Sequence, residues 1–417
     1  MNLDTDNRTS IEGEVGAAKV IMAGEGPAFH ILGTHSATAD PLGFKPNVWS
    51  RQRMPSVLNI EIEGDNTVAD GIRIEGTMQA TFEGVLIRRV RHGIHLAKRN
   101  RNVLISHCHI YHNLGAGVFI DHCNLHQINI IGNHISYNRI GGIRIEASEV
   151  RNLQITGNDI EYNNHRVHNT PPEPTAEIYI DTTAEGSSVN EITVASNTIQ
   201  ATASPGGANI RIVDQIVDER GYVTTAGRRP GLWTITGNII GSQENNVHLT
   251  GCYGVVLSGN FIYSGSNRNL LIEHCGQVNV GTCSFRQHTG GRYAGVRIVD
   301  SQDVILTGCQ LRDETEEGQP TGASLLECVR CDRVTITGCQ MTDGVPFGID
   351  VLDGSHLNVT GCTVMDVRSD RRMRAAVRFA GEGRSNLLAD NTLGQGTETV
   401  YDVSDSAGVT SANNLTA

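Results

Sequence analysis

Gln127–Ile135 reads QINIIGNHI and Asn152–Ile160 reads NLQITGNDI. The same phrase returns as EITVASNTI at Glu191–Ile199, LWTITGNII at Leu232–Ile240 and GVVLSGNFI at Gly254–Ile262. Later copies put Cys where Asn stood: DVILTGCQL at Asp303–Leu311, RVTITGCQM at Arg333–Met341 and HLNVTGCTV at His356–Val364. With that Asn or Cys as marker, Cys108, Asn133, Asn158, Asn197, Asn238, Asn260, Cys283, Cys309, Cys339, Cys362 and Asn391 are spaced, by subtraction, 25, 25, 39, 41, 22, 23, 26, 30, 23 and 29 residues apart. A floor near 22 to 25 with occasional longer steps is one repeated unit carrying inserted loops.

A second strand phrase lies between the markers: GIRIE at Gly71, GIHLA at Gly93, GVFID at Gly117, GIRIE at Gly142, EIYID at Glu177, NIRIV at Asn209, NVHLT at Asn246, NLLIE at Asn269, GVRIV at Gly295, GIDVL at Gly348 and AVRFA at Ala376. Both phrases alternate apolar and polar residues and are bounded by Gly and Asn, so each unit offers two or three short strands and no stretch has helical periodicity. So short a unit cannot bury its own apolar face, but parallel stacking puts the Ile, Val and Leu residues of successive units in shared columns. The spacing predicts an all-β, single-domain right-handed parallel β-helix of about a dozen coils, residues 56–417, preceded by an N-terminal coil and loop region, residues 1–55. Asn at the markers, and at Asn113, Asn138 and Asn163, is expected to stack from coil to coil at tight turns. The LxxLxLxxN spacing of a leucine-rich solenoid is missing.

Composition agrees. The 417 residues include 47 Gly, with only 19% charged and 5% aromatic. A net charge of -12 leaves no basic surface for nucleic-acid phosphates or anionic lipid. No apolar run approaches the roughly 20 residues needed to span a bilayer, and Met1-Asn2-Leu3-Asp4 has neither the basic nor the apolar region of a signal peptide. Many of the ten Cys recur as Gly-Cys or Thr-Cys at one place in the repeat, which suits small buried side chains better than disulfides or zinc ligands.

From about Ser56 to the C-terminus, the GNxI and GIxI phrases resemble the pectate-lyase-like superfamily of right-handed β-helix proteins. The resemblance implies polysaccharide lyases, glycoside hydrolases, uronan epimerases or phage-type glycan-binding proteins. The polygalacturonase set of NTD, DD, GHG and RIK is not present in order, so no catalytic residues are carried over from that family.

In the GIxIx phrase the second and fourth residues face the core while the third and fifth face out. The fifth position reads Glu75, Ala97, Asp121, Glu146, Asp181, Val213, Thr250 and Glu273; the third reads Arg73, His95, Phe119, Arg144, Tyr179, Arg211, His248, Leu271 and Arg297. Three consecutive carboxylates beside aromatics and Arg mark Asp121, Glu146 and Asp181 as candidate catalytic residues, with His95, Phe119, Arg144, Tyr179 and Arg211 as candidate substrate contacts. Such stacked like charges repel unless a cation intervenes. The long steps bring loops to the same coils, at Asn164–Ala176, Ala201–Ala208 and Asp214–Gly231, as expected at the margins of a groove.

Other candidates have plainer readings. His122-Cys123 and His274-Cys275 look like metal pairs but hold equivalent turn positions six coils apart, too far to share an ion. His109, His112, His126 and His134, with Tyr137 and Tyr162, are expected to stack at turns, and Asp313–Glu317 to be a solvated loop.

Two chemistries suit the acids. A glycoside hydrolase would use one as acid and another as base or nucleophile, needing no cofactor. A calcium-dependent lyase or epimerase would bind the ion at Asp121, Glu146 and Asp181, with Arg211 or Arg144 removing a proton. A non-catalytic glycan-binding solenoid would use Phe119 and Tyr179 as stacking surfaces. The expected partner is a polysaccharide, which implies export; neither nucleic acid nor membrane is expected. The uncapped ends and Phe44 and Trp49 in the loop Gly33–Pro55 suggest a homo-oligomer.

Overall fold

The computed structural model describes residues 1–7, 9–36, 43–65, 68–163, 176–214, 230–286, 295–313 and 323–417. They fall into two units, one made of Met1–Gly206 with Ile210–Val213 and Gly227–Trp233, the other mainly of Thr234–Ala417.

The first unit is a stack of parallel coils. Strand Val118–Ile131 holds two of a coil's three strand segments in one run, and the chain turns where His122 and Gln127 take φ of 44° and 61°. His134–Ser136 completes that coil in a second sheet. On one side Val118–Ile131 pairs in parallel with Ile94–Ser106, and on the other with Ile143–Glu146 and Glu149–Thr156. The coiling begins early: Asn2–Asp4 pairs with Phe29–Leu32, which pairs with Ile72–Met78. These are parallel pairings throughout, as a chain that returns to the same edge after each short unit requires.

Inward positions form continuous columns. Ile72, Ile94, Val118, Ile143 and Ile178 are successive register partners and all fully buried, as are Ile74, Leu96, Ile120, Ile145 and Ile180. Each such side chain contributes about 1.5–3 kcal/mol of burial. Gly opens the phrase because backbone packs against it: a Cβ on Gly117 would lie 2.6 Å from the Ile135 side chain and 2.7 Å from the Gly142 carbonyl oxygen.

The expected Asn ladder is present. Asn133 donates through Nδ2 to Asn158 Oδ1 at 2.9 Å, and Asn158 likewise to Asn197 at 3.0 Å. Asn113, Asn138 and Asn163 form another at 2.8 Å per step, ending at the fully buried Glu177, whose Oε2 accepts from Asn163.

The second unit repeats this plan, for example in Arg268–Glu273, Gly276–Gly281 and Ser284–Arg286, each paired in parallel with its counterpart one coil later. Its markers include the buried Cys283, Cys309, Cys339 and Cys362. All ten cysteines of the chain are free and buried. In the first unit, burial pushes the Cys108 and Cys123 thiols up to about 12, which makes them unreactive packing groups.

One element was not expected, the helix Pro46–Arg51. Six residues are too few to show a 3.6-residue period, and Pro46 supplies the start. The helix is fastened by Gln52, whose Oε1 accepts from the Thr34 N–H and hydroxyl, both at 2.8 Å. Trp49 is half exposed, while Phe44 stacks on His35 at 5.0 Å.

Candidate functional site

Parallel register fixes the outward rows of the first unit. His95, Phe119, Arg144 and Tyr179 are successive partners, and so are Ala97, Asp121, Glu146 and Asp181. Three carboxylates thus project from consecutive strands, about 4.8 Å from one strand to the next.

Each acid has its own donors. Asp121 Oδ1 lies 2.6 Å from His122 Nδ1 and its Oδ2 3.3 Å from His95 Nε2. Glu146 accepts from Arg144 Nε at 2.5 Å and is also ion-paired through Arg144 Nη2. Asp181 accepts from the Tyr179 hydroxyl at 3.2 Å and from the Thr183 N–H and hydroxyl at 2.8 and 2.6 Å. The Arg144 guanidinium sits 4.6 Å from the centre of the Tyr179 ring. Burial, with the charge of Asp181, pushes the Tyr179 phenol up to about 12, so it remains a donor. Arg211 donates to the Gly206 carbonyl at 3.1 Å. One cation, Arg144, thus stands among the stacked acids, bound to Glu146.

Burial separates the expected substrate contacts into two levels. Phe119 and Arg144 are partly exposed, whereas His95 and Tyr179 are buried. Phe119 packs on two imidazoles, stacked on His95 at 5.3 Å and tilted on His92 at 4.7 Å.

A model of the "Right handed beta helix region" family matches residues 53–199 and 178–364. The chain belongs to this family. The β-helix is accordingly right-handed. No curated protein matches it by sequence. Among solved structures it is similar to tailspike protein 3 of bacteriophage CBA120, at 9% identity over 99% of this chain and 53% of that one, TM-score 0.38, so it spans about half of that protein's length. It is also similar to DFA-IIIase from Arthrobacter chlorophenolicus A6, at 12% identity over 94% and 84%, TM-score 0.37. The A-module of the Azotobacter vinelandii mannuronan C-5 epimerase AlgE6 matches at 10% identity over 96% and 91%, TM-score 0.39.

Three residues around the β-helix acids were not anticipated: Asp70, Arg91 and His92. Asp70 is almost wholly buried and receives Arg91 Nε and Nη2 at 2.7 and 2.8 Å, the His92 N–H at 3.3 Å and His95 Nδ1 at 2.9 Å. Burial works to raise its carboxyl, but the bonds from His95 and Arg91 outweigh that and hold it well below the usual carboxylate range. Burial pushes the His92 imidazole down to about 4, and its Nδ1 accepts the Ala116 N–H at 3.0 Å. The available signal was position: Asp70 and His92 each stand just before the Gly of a strand phrase, a place occupied by Ala116 and Gly141 in later coils.

The stacking expected elsewhere is seen for five of the six residues, with no ring contact at His126 among the described residues. His109 lies on His134 at 5.0 Å, and His112, Tyr137 and Tyr162 form a run at 5.0 and 5.5 Å. His122 and His274 both occupy turns with positive φ, 44° and 54°. Most of the loops expected to border the groove, residues 164–175 and 215–229, and residues 314–317 of the acidic loop, lie outside the described residues.

Proposed function

We propose that the chain is a glycoside hydrolase acting on a polysaccharide laid across the outward face of the first unit, with Asp121, Glu146 and Asp181 as its catalytic carboxylates. The observation that carries this reading is the placement of three acids in register on consecutive parallel strands. Hydrolysis needs one carboxyl group to protonate the leaving oxygen and another to attack carbon or activate water. Asp121 and Glu146 stand one strand spacing apart, about 4.8 Å, which suits the roughly 5 Å of a retaining enzyme. Asp121 and Asp181 stand about 9.6 Å apart, at the upper end of the roughly 6.5–9.5 Å range of inverting enzymes. Phe119, Arg144 and Arg211 would shape the sugar subsites, and the buried Tyr179 and His95 would act on substrate through Asp181 and Asp121.

A calcium site at the same acids is less well supported. Their oxygens are already hydrogen-bonded to His122, His95, Arg144, Tyr179 and Thr183. Cation ligation would require those bonds to be given up. The reading therefore includes no cofactor.

The test is incubation with a panel of neutral and acidic polysaccharides, assayed for new reducing ends and for the ultraviolet absorbance of unsaturated products, with and without chelator. Chelator-insensitive reducing ends without that absorbance are expected. Unsaturated products lost on chelation would replace hydrolysis by β-elimination, and retention without cleavage would make the solenoid a binder.

A further inference from the structure

The His95 imidazole lies between two carboxylates in different surroundings. On one side its Nδ1 is 2.9 Å from Oδ2 of the buried Asp70, which also bears the two-point contact from Arg91. On the other its Nε2 is 3.3 Å from Oδ2 of the partly exposed Asp121. The ring is fixed by its stack on Phe119 and an edge contact with His92 at 5.3 Å.

We propose that Asp70, His95 and Asp121 form one proton-holding unit, and that this makes Asp121 the general acid of the site. The argument is a count of protons. Asp70 faces the guanidinium of Arg91 and remains a carboxylate, so it can only accept, and His95 Nδ1 must carry a proton toward it. Nε2 and Asp121 Oδ2 can then be hydrogen-bonded in only two ways. A neutral imidazole accepts from a protonated Asp121, or an imidazolium donates to the Asp121 carboxylate. Both arrangements hold one proton between Nε2 and Oδ2.

The charged and titratable groups around the ring are consistent with this state. Arg73 is the register partner of His95 on the preceding strand, but its Nε is turned to Glu75 at 2.8 Å. His92 is held neutral by burial, and His122 bonds the other oxygen of Asp121. Asp70 and His95 are positioning residues: neither is placed to touch substrate, and both act through Asp121.

The assignment of the acid rests on the hydrolytic reading of the ladder; the proton count does not. In the chemical step the shared proton passes from Asp121 to the leaving oxygen as the carbon–oxygen bond breaks and that oxygen keeps the electron pair. The pair is left as neutral imidazole and carboxylate, with the Nδ1 proton still directed at Asp70. Attacking water gives its proton to Glu146 or Asp181. When Asp70 is replaced by Asn, whose amide can donate to Nδ1, the ring can adopt the other tautomer and give Nε2–H to an already ionised Asp121, leaving no proton to transfer.

The direct experiment is nitrogen-15 NMR of the folded wild-type chain labelled at its 16 histidines, with the His95 resonances identified by their loss in His95→Asn. At neutral pH, His95 is expected to show a protonated, exchange-protected Nδ1. A neutral Nε2–H tautomer in the wild type would overturn the proposal, whatever the protein's activity. In Asp70→Asn the Nδ1 proton should be lost, and on a cleaved polysaccharide kcat should fall at least about tenfold with little change in KM. Unaltered kcat in a folded Asp70→Asn that has lost the Nδ1 proton would remove Asp121 from the role of acid. Absence of any cleavage by the wild type would sink the hydrolytic reading and leave the proton count to the spectrum.

Discussion

Among the described residues the fold sets a histidine in the third place of a strand phrase against a carboxylate in the fifth place of the next coil at His30, His95 and His248, and the last two differ in their anchoring. His95 and His248 each occupy the third place of a strand phrase, and each reaches a carboxylate in the fifth place of the next coil: Asp121 at 3.3 Å and Glu273 at 2.7 Å. The difference lies at the other ring nitrogen. His95 Nδ1 is bonded to buried Asp70, whereas His248 Nδ1 is buried with no hydrogen-bond partner. Their surroundings differ too. The fifth places after Asp121 are Glu146 and Asp181, whereas those after Glu273 are Val299 and Val329. Charges in the second unit gather in the third place instead and neutralise one another: Arg297 bonds Glu327 at 3.2 Å, and Arg378 grips Asp350 at 2.7 Å through both Nε and Nη2. The repeat therefore supplies pair geometry wherever the residues allow, and what distinguishes His95 from His248 is Asp70, a residue outside the repeated phrase.

The largest effect should come from cutting the anchor. Asp70→Ala leaves Arg91 and His95 without their shared acceptor and should lower unfolding free energy by about 3 kcal/mol or more. His248→Leu loses one bond but also removes an unmatched buried nitrogen, and should change stability by no more than about 1 kcal/mol. Equal losses in chemical denaturation would show that the two pairs are equivalent supports.

Function should separate the regions next. Glu146→Gln preserves shape while removing a carboxylate, and should lower turnover at least about a hundredfold. Glu273→Gln should leave turnover as in the wild type. A strong loss in Glu273→Gln, with Glu146→Gln active, would move the site to the pair that lacks an anchor.

A smaller effect concerns pH. Burial raises Glu177 well above the usual glutamate value of about 4.3, so the unfolded chain releases that proton at lower pH than the native chain. Native stability therefore falls as pH rises from about 4.3 toward the folded value. Glu177→Gln removes the penalty: it should melt higher than the wild type near pH 7 and equally near pH 4. His92 works in the opposite sense. Its folded value of about 4 lies below the ordinary 6.5, so its contribution is complete above 6.5 and is lost as pH falls toward 4. Melting curves of Glu177→Gln against pH would expose that acid limb free of the Glu177 slope.

The coil could be read from the sequence because a period of two within a period of 22 or more leaves little freedom. The phrase GVFID at Gly117 sets which side chains are buried, and the marker spacing sets which rows align, so the aligned Asp121, Glu146 and Asp181 were within reach. Asp70 was not, because the residue before Gly71 belongs to no phrase, and its contact with His95 depends on how the chain enters the strand. The depth of His95 and Tyr179 was hidden for a related reason. Alternation tells outward from inward, yet a side chain on the outward row is buried when neighbours on the same row lie over it. The helix Pro46–Arg51 was too short to declare itself.

The central claim is that the aligned acids of the first unit carry the chemistry, and the double variant Asp121→Asn with Asp181→Asn tests it most directly. Its turnover should be measured on whichever polysaccharide the wild type cleaves, with a melting curve on the same sample. The account predicts a folded protein with a melting temperature close to wild type and turnover lower by at least about a hundredfold. Full turnover in that double variant would contradict it.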